Sequence, residues 1–130
     1  MKQDHTRSET IYGVDRWGKG LITVLPNGDV ALCDPARDSA TPISLPDILQ
    51  DLEQRGIASP LVLRVSSFLE HEIRNINESF ASAIKRVGYQ APYRGVFPIK
   101  VNQQAQVVDR IVEFGRPFNY GLEAGSKPEL

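Results

Sequence analysis

The sequence predicts an α/β chain in which an all-β element comes first and strands alternate with helices after it. Three observations predict this class. Asn27-Gly28 sits between two short apolar runs, three stretches carry helical periodicity with capping residues, and residues 95–123 have the strand–helix–strand length of a right-handed parallel crossover. A chain of 130 residues suits one domain with a real core. With 41% hydrophobic and 24% charged residues, it reads as an ordinary globular chain rather than a disordered one.

In chain order, residues 1–10 are polar and read as a disordered leader without the apolar core of a secretory signal. Leu21–Leu25 and Val30–Leu32 form the arms of a hairpin, with Asn27 and Gly28 expected at the two positive-φ positions of a type I′ turn. A loop rich in Asp, Pro and Ser follows, over residues 34–42. Leu45, Ile48, Leu49 and Leu52 share one helical face, with Ser44 as N-cap and Gly56 as the stop.

The apolar run 60–65 has strand length. A long helix over about 68–87 carries Leu69, Ile73, Ile76, Phe80, Ala83, Ile84 and Val87 on one stripe, with Ser67 and Glu70 as capping box and Gly88 as its end. A strand at 95–101, a helix at about 103–114 with Gly115 as its C′ residue, and a strand at 118–123 complete the pattern. Ser126, Pro128 and Glu129 have the spacing of a further helix start, so the chain reads as a fragment cut as its next helix begins.

Lys plus Arg number 15 against 16 Asp plus Glu, which removes the footprint of a dedicated nucleic-acid binder. No apolar run approaches the length of a membrane span. The lone Cys33 excludes an internal disulfide and a Cys-based zinc site, and the default is a cytoplasmic address. His5 and His71 have no partner at ligand spacing and read as solvated. Tyr12, Trp17, Tyr89 and Tyr93 read as packing residues.

Two residues carry candidate chemistry. Lys100 ends the strand that opens the βα unit, on the rim where such folds place reacting groups. A lysine amine there can be desolvated for Schiff-base chemistry, or it can simply reach for water with its stem packed. Glu123 ends the next strand, so a parallel pairing puts it on the same rim. There it could orient the amine or shuttle its proton, or form only a rim salt bridge.

The runs Tyr93-Arg94-Gly95-Val96-Phe97-Pro98-Ile99-Lys100-Val101-Asn102-Gln103-Gln104 and Asn119-Tyr120-Gly121-Leu122-Glu123-Ala124-Gly125-Ser126-Lys127-Pro128-Glu129-Leu130 resemble the biosynthetic arginine decarboxylases. Tyr12–Gly18 resembles the start of the same family, so the likeness covers nearly the whole chain. Sibling decarboxylases acting on ornithine or diaminopimelate share the lysine-bearing strand but not the full wording of these runs.

The resemblance implies the N-terminal portion of a pyridoxal-phosphate-binding (β/α)8 barrel, preceded by strands of a β-rich domain and left incomplete. Residues 11–65 would belong to the β-rich domain and residues 66–130 to the start of the barrel. Lys100 would be the cofactor-binding and catalytic lysine, holding pyridoxal 5′-phosphate as a Schiff base, with Glu123 as a nearby catalytic acid. The implied reaction converts L-arginine to agmatine and CO2 in polyamine and spermidine synthesis, with Mg2+ and a homo-oligomer expected for the full-length enzyme. A two-strand piece of barrel leaves strand edges unpaired, so the isolated chain is expected to be inactive and prone to aggregate. The alternative is a non-catalytic folded remnant, or an interaction module, that retains the lysine-bearing strand.

Overall fold

The computed structural model describes residues 5–35 and 41–130. The His5 side chain and most of the 34–42 loop lie outside the described part. The chain divides into two compact units, Met1–Arg64 and Val65–Leu130.

The first unit is built on a three-stranded antiparallel sheet of β1 (Ile22–Val24), β2 (Val30–Leu32) and β3 (Ile43–Ser44), with β2 central. Helices α1 (His5–Tyr12) and α2 (Val14–Gly18) precede it and α3 (Leu45–Gln54) follows it. The stretch expected as a leader is therefore helical from His5. Glu9 ties α1 to the sheet, its carboxylate accepting from Thr23 Oγ1 at 3.1 Å and from the Val24 N–H at 3.3 Å. Val14, Val24 and Ala31 are buried at the centre.

The hairpin forms with Ile22 opposite Leu32 and Val24 opposite Val30, but its turn differs from the expected one. The Gly28 N–H donates to Leu25 O at 2.8 Å, and only Gly28 takes a positive φ, of 94°. Pro26 holds the first central position near −65°, which suits a type I turn and excludes type I′. Ser44 then joins three elements. It sits in β3, its hydroxyl donates to Asp29 in the hairpin turn at 3.1 Å, and its Oγ accepts from the Asp47 N–H as the N-cap of α3.

The expected strand at 60–65 is absent. Leu61–Leu63 pairs with no strand among the described residues, and Val62 and Leu63 are exposed. An apolar run supplies the face of a strand but not the partner that a ladder requires.

The second unit packs α4 (Ser66–Val87) on α5 (Ala105–Gly115), burying Ile73 and Ile111, beside a parallel pair of β4 (Val96–Pro98) and β5 (Gly121–Glu123). α4 starts two residues before the expected position. The Ser67–Glu70 capping box does not form: Val65 is the N-cap, so Ser67 lies inside the first turn, and Glu70 pairs with Arg74 at 3.2 Å. Gly88 ends α4 in the left-handed conformation, as its position predicts.

Gly115 is not a C′ residue. It stays right-handed at φ −79°, the chain runs on into a 3₁₀ turn over Arg116–Phe118, and the left-handed position falls on Asn119 at φ 53°.

Candidate functional site

Strands β4 and β5 run parallel with Val96 opposite Gly121, Phe97 opposite Leu122 and Pro98 opposite Glu123. The two ends of this pair are built differently. At the N-terminal end, the Gly121 N–H donates to Gly95 O at 2.9 Å and the Tyr120 N–H to Gly115 O at 3.0 Å. The Tyr120 side chain then fills the space that two glycines leave open. A Cβ on Gly95 would lie 2.6 Å from Tyr120 Cδ2 and 3.0 Å from the Tyr93 hydroxyl, and one on Gly115 would lie 2.7 Å from Tyr120 Cβ. These glycines are needed for close approach rather than for φ. Burial, and then the neighbouring Tyr93, push the Tyr120 phenol above its usual range. Tyr93 in turn stacks on Phe80 of α4, with ring centroids 4.0 Å apart.

At the C-terminal end, the chain leaves the ladder after Pro98 and makes a 3₁₀ turn over Ile99–Val101. Lys100 therefore lies on a turn two residues beyond the last paired position, not on the strand itself, and its side chain is exposed. Asn102 steers the chain from this turn into α5, its Oδ1 accepting from the Gln104 N–H at 3.1 Å. Glu123 ends β5 at the same edge and is half-buried. The register thus brings Lys100 and Glu123 to one edge, but among the described residues they form no ion pair.

A third residue belongs to this edge. Ser126 occupies the N-cap position of a 3₁₀ turn over Lys127–Glu129, and Glu129 reaches back to close it. The Glu129 carboxylate accepts from the Gly125 N–H at 2.8 Å and from the Ser126 hydroxyl at 2.8 Å. Those two bonds, and after them the charge of Lys100, hold its carboxyl below the usual range. Ile99 and Gln103 on one side and Ser126, Pro128 and Glu129 on the other line a cleft of about 270 Å³. In the sequence alone Glu129 reads only as a helix-start signal. The Ser126-x-x-Glu129 spacing was the available pointer to its fixed position.

The remaining candidates stay outside this edge. Cys33 and His71 are half-buried, while Tyr12, Trp17 and Tyr89 are exposed rather than packed. Tyr93, with Asn77, Ala81, Ile84, Lys85, Pro92 and Phe118, lines a second, apolar cleft of about 280 Å³. Among the described residues, no group of three or more His, Cys, Asp and Glu side chains could hold a metal ion, and no helix is long and apolar enough to cross a membrane.

No family model matches the chain. Individual relatives do. It is 45% identical over 123 residues to the biosynthetic arginine decarboxylase of Thermosynechococcus vestitus, and 43% identical over 123 residues to that of Gloeobacter violaceus. Each alignment covers 95% of this chain and 19% of the relative, so the chain spans about one-fifth of the length of the curated relatives it matches. The crystal structure of the biosynthetic arginine decarboxylase of Campylobacter jejuni superposes with a TM-score of 0.81 at 36% identity, covering 91% of this chain and 19% of that one.

Proposed function

We propose that this chain, homologous over 95% of its length to biosynthetic arginine decarboxylases, supplies the lysine-bearing βα unit of a pyridoxal-phosphate-dependent lyase that converts L-arginine to agmatine and CO2 in polyamine synthesis. The observation that carries the reading is the parallel register that brings the Lys100 turn and Glu123 to one edge, in a chain 45% identical over 123 residues to a biosynthetic arginine decarboxylase. On this reading β4, α5 and β5 open a (β/α)8 barrel, and the first unit contributes to a β-rich domain. The C-terminal edge of parallel strands is where such barrels carry their chemistry.

The residues present fit an aldehyde cofactor. Pyridoxal phosphate needs a primary amine that can leave its charge partners. Lys100 is an exposed amine on a turn, it forms no ion pair among the described residues, and its neighbour Ile99 lines a cleft of about 270 Å³. When bound, pyridoxal phosphate supplies an electron sink for the pair left at the α-carbon as CO2 departs. Lys100 Nζ would hold the cofactor through its aldehyde carbon, and Glu123, the acidic group on the same rim, would orient that amine. Magnesium, a homo-oligomeric state and a cytoplasmic address belong to this reading through the resemblance, and no metal ligand is assigned to the described residues.

The test is absorbance of the purified chain after addition of pyridoxal phosphate. A band at roughly 410–430 nm, trapped by borohydride and lost in Lys100→Ala, is the expected result. A band of equal strength in Lys100→Ala would mean adducts on surface lysines and would remove Lys100 from the site.

A further inference from the structure

We infer that α1 is a strap across the free edge of the first sheet, with Glu9 as its clasp, and that this edge pairs with the same edge of a second copy of the chain once the clasp is released. Neither Lys100 nor the proposed reaction takes part in it.

β1 is an edge strand, since among the described residues only β2 lies beside it. Antiparallel strands turn their N–H and C=O groups toward one neighbour at every second residue. The Leu25 N–H donates to Asp29 O at 2.8 Å and the Cys33 N–H donates to Leu21 O at 2.9 Å, so Leu21, Thr23 and Leu25 face β2. Ile22 and Val24 therefore direct their backbone groups outward. Such a row of open groups is a template for a further strand.

At Val24 the row is closed. Glu9 Oε1, carried by α1, accepts from the Val24 N–H at 3.3 Å and from Thr23 Oγ1 at 3.1 Å. Fifteen residues separate Glu9 from Val24, so the bond comes from the docking of α1 and not from a local turn. The carboxylate puts an acceptor where an incoming strand must place its own carbonyl oxygen, and two acceptors repel. Ile22, Thr23 and Val24 include no charge and no proline that would otherwise guard this edge.

A second copy fits because the outward groups are symmetric about Thr23. In an antiparallel pair centred there, Ile22 faces Val24 of the second copy and Val24 faces its Ile22, and both pairs exchange N–H and C=O bonds. Thr23 then faces its own equivalent at a position without ladder bonds, where Cα atoms approach to about 4.5 Å.

Disulfide trapping in a Cys33→Ser background tests the strap and its occupant together. Thr23→Cys reports the expected register, because a Cα separation of about 4.5 Å lies within the range a disulfide spans. Gln50→Cys, exposed on α3, reports chance encounters. Adding Glu9→Ala is expected to raise the oxidised dimer of Thr23→Cys by about 2- to 12-fold, the range for one lost net hydrogen bond, and to leave that of Gln50→Cys as it was. Glu9→Gln, which keeps an acceptor, stays nearer the parent. Amide exchange in dilute monomer gives a second readout. In Glu9→Ala the Val24 N–H should exchange faster, while the Ala31 N–H on the central strand keeps its rate. Equal dimer in Thr23→Cys with and without Glu9 overturns the strap, and an equal rise in Gln50→Cys overturns the paired edge. Faster exchange at Ala31 overturns the inference too, since Glu9 would then hold the sheet together and not close its edge.

Discussion

The two ends of the β4–β5 pair solve opposite problems with the same short strands. At the N-terminal end two glycines, Gly95 and Gly115, let the Tyr120 side chain approach the backbone, and the ring of Tyr93 continues the packing to Phe80. At the C-terminal end the chain turns away from the ladder and leaves an amine, two carboxylates and a cleft. One end is filled by half-buried rings and the other is left open. The difference teaches that stability and chemistry can be assigned to separate ends of a single parallel pair, so substitutions at each end should have separable effects.

The largest expected effect falls at the packed end. Gly95→Ala should destabilise the second unit by about 1–3 kcal/mol in denaturant unfolding, the range for overpacking a filled site. Tyr120→Ala removes the clashing ring, so Gly95→Ala should cost much less in that background. Equal costs in both backgrounds would break the assignment of Gly95 to close approach.

A smaller effect is expected in alkali. The phenol of Tyr120 titrates higher in the folded chain than its ordinary value of 10.0, so the unfolded chain releases its proton first. Stability is full below pH 10.0 and is lost as pH rises through the folded value. Unfolding curves of the parent chain and Tyr120→Phe, compared across that window, should diverge, with the parent losing more.

The smallest effect belongs to the open end and has the opposite sign. Glu129 titrates below its ordinary value of 4.5, so its contribution is present above pH 4.5 and disappears as pH falls through the lowered value. Glu129→Gln should flatten that part of the acid unfolding profile and leave the alkaline limb as it is. A change in the alkaline limb would mean that the two ends are coupled.

Much of this arrangement was legible in the residues. Ser44 and Gly88 act at helix ends as their types predict, because a cap depends on a few neighbouring atoms. The crossover length of 95–123 was legible for the same reason. Features that depend on distant partners were not. Leu61–Leu63 looks like a strand but has no strand beside it, and Gly115 looks like a helix terminator until Tyr120 is seen against it. The hairpin turn departs from its local signal, since Pro26 fixes a φ that Asn27-Gly28 alone does not reveal.

The site divides along the same line. Lys100 and Glu123 reach one edge through a register that the spacing predicts. The 3₁₀ turn under Lys100 and the fixing of Glu129 by Gly125 and Ser126 appear only in three dimensions.

The central claim is that the open end directs an aldehyde cofactor to one amine. The direct measurement is peptide mapping of the whole chain after pyridoxal phosphate and borohydride, counting label on Lys2, Lys19, Lys85, Lys100 and Lys127. The account predicts that label concentrates on Lys100 at cofactor concentrations too low to mark the other four. Label spread evenly over the five lysines would contradict it.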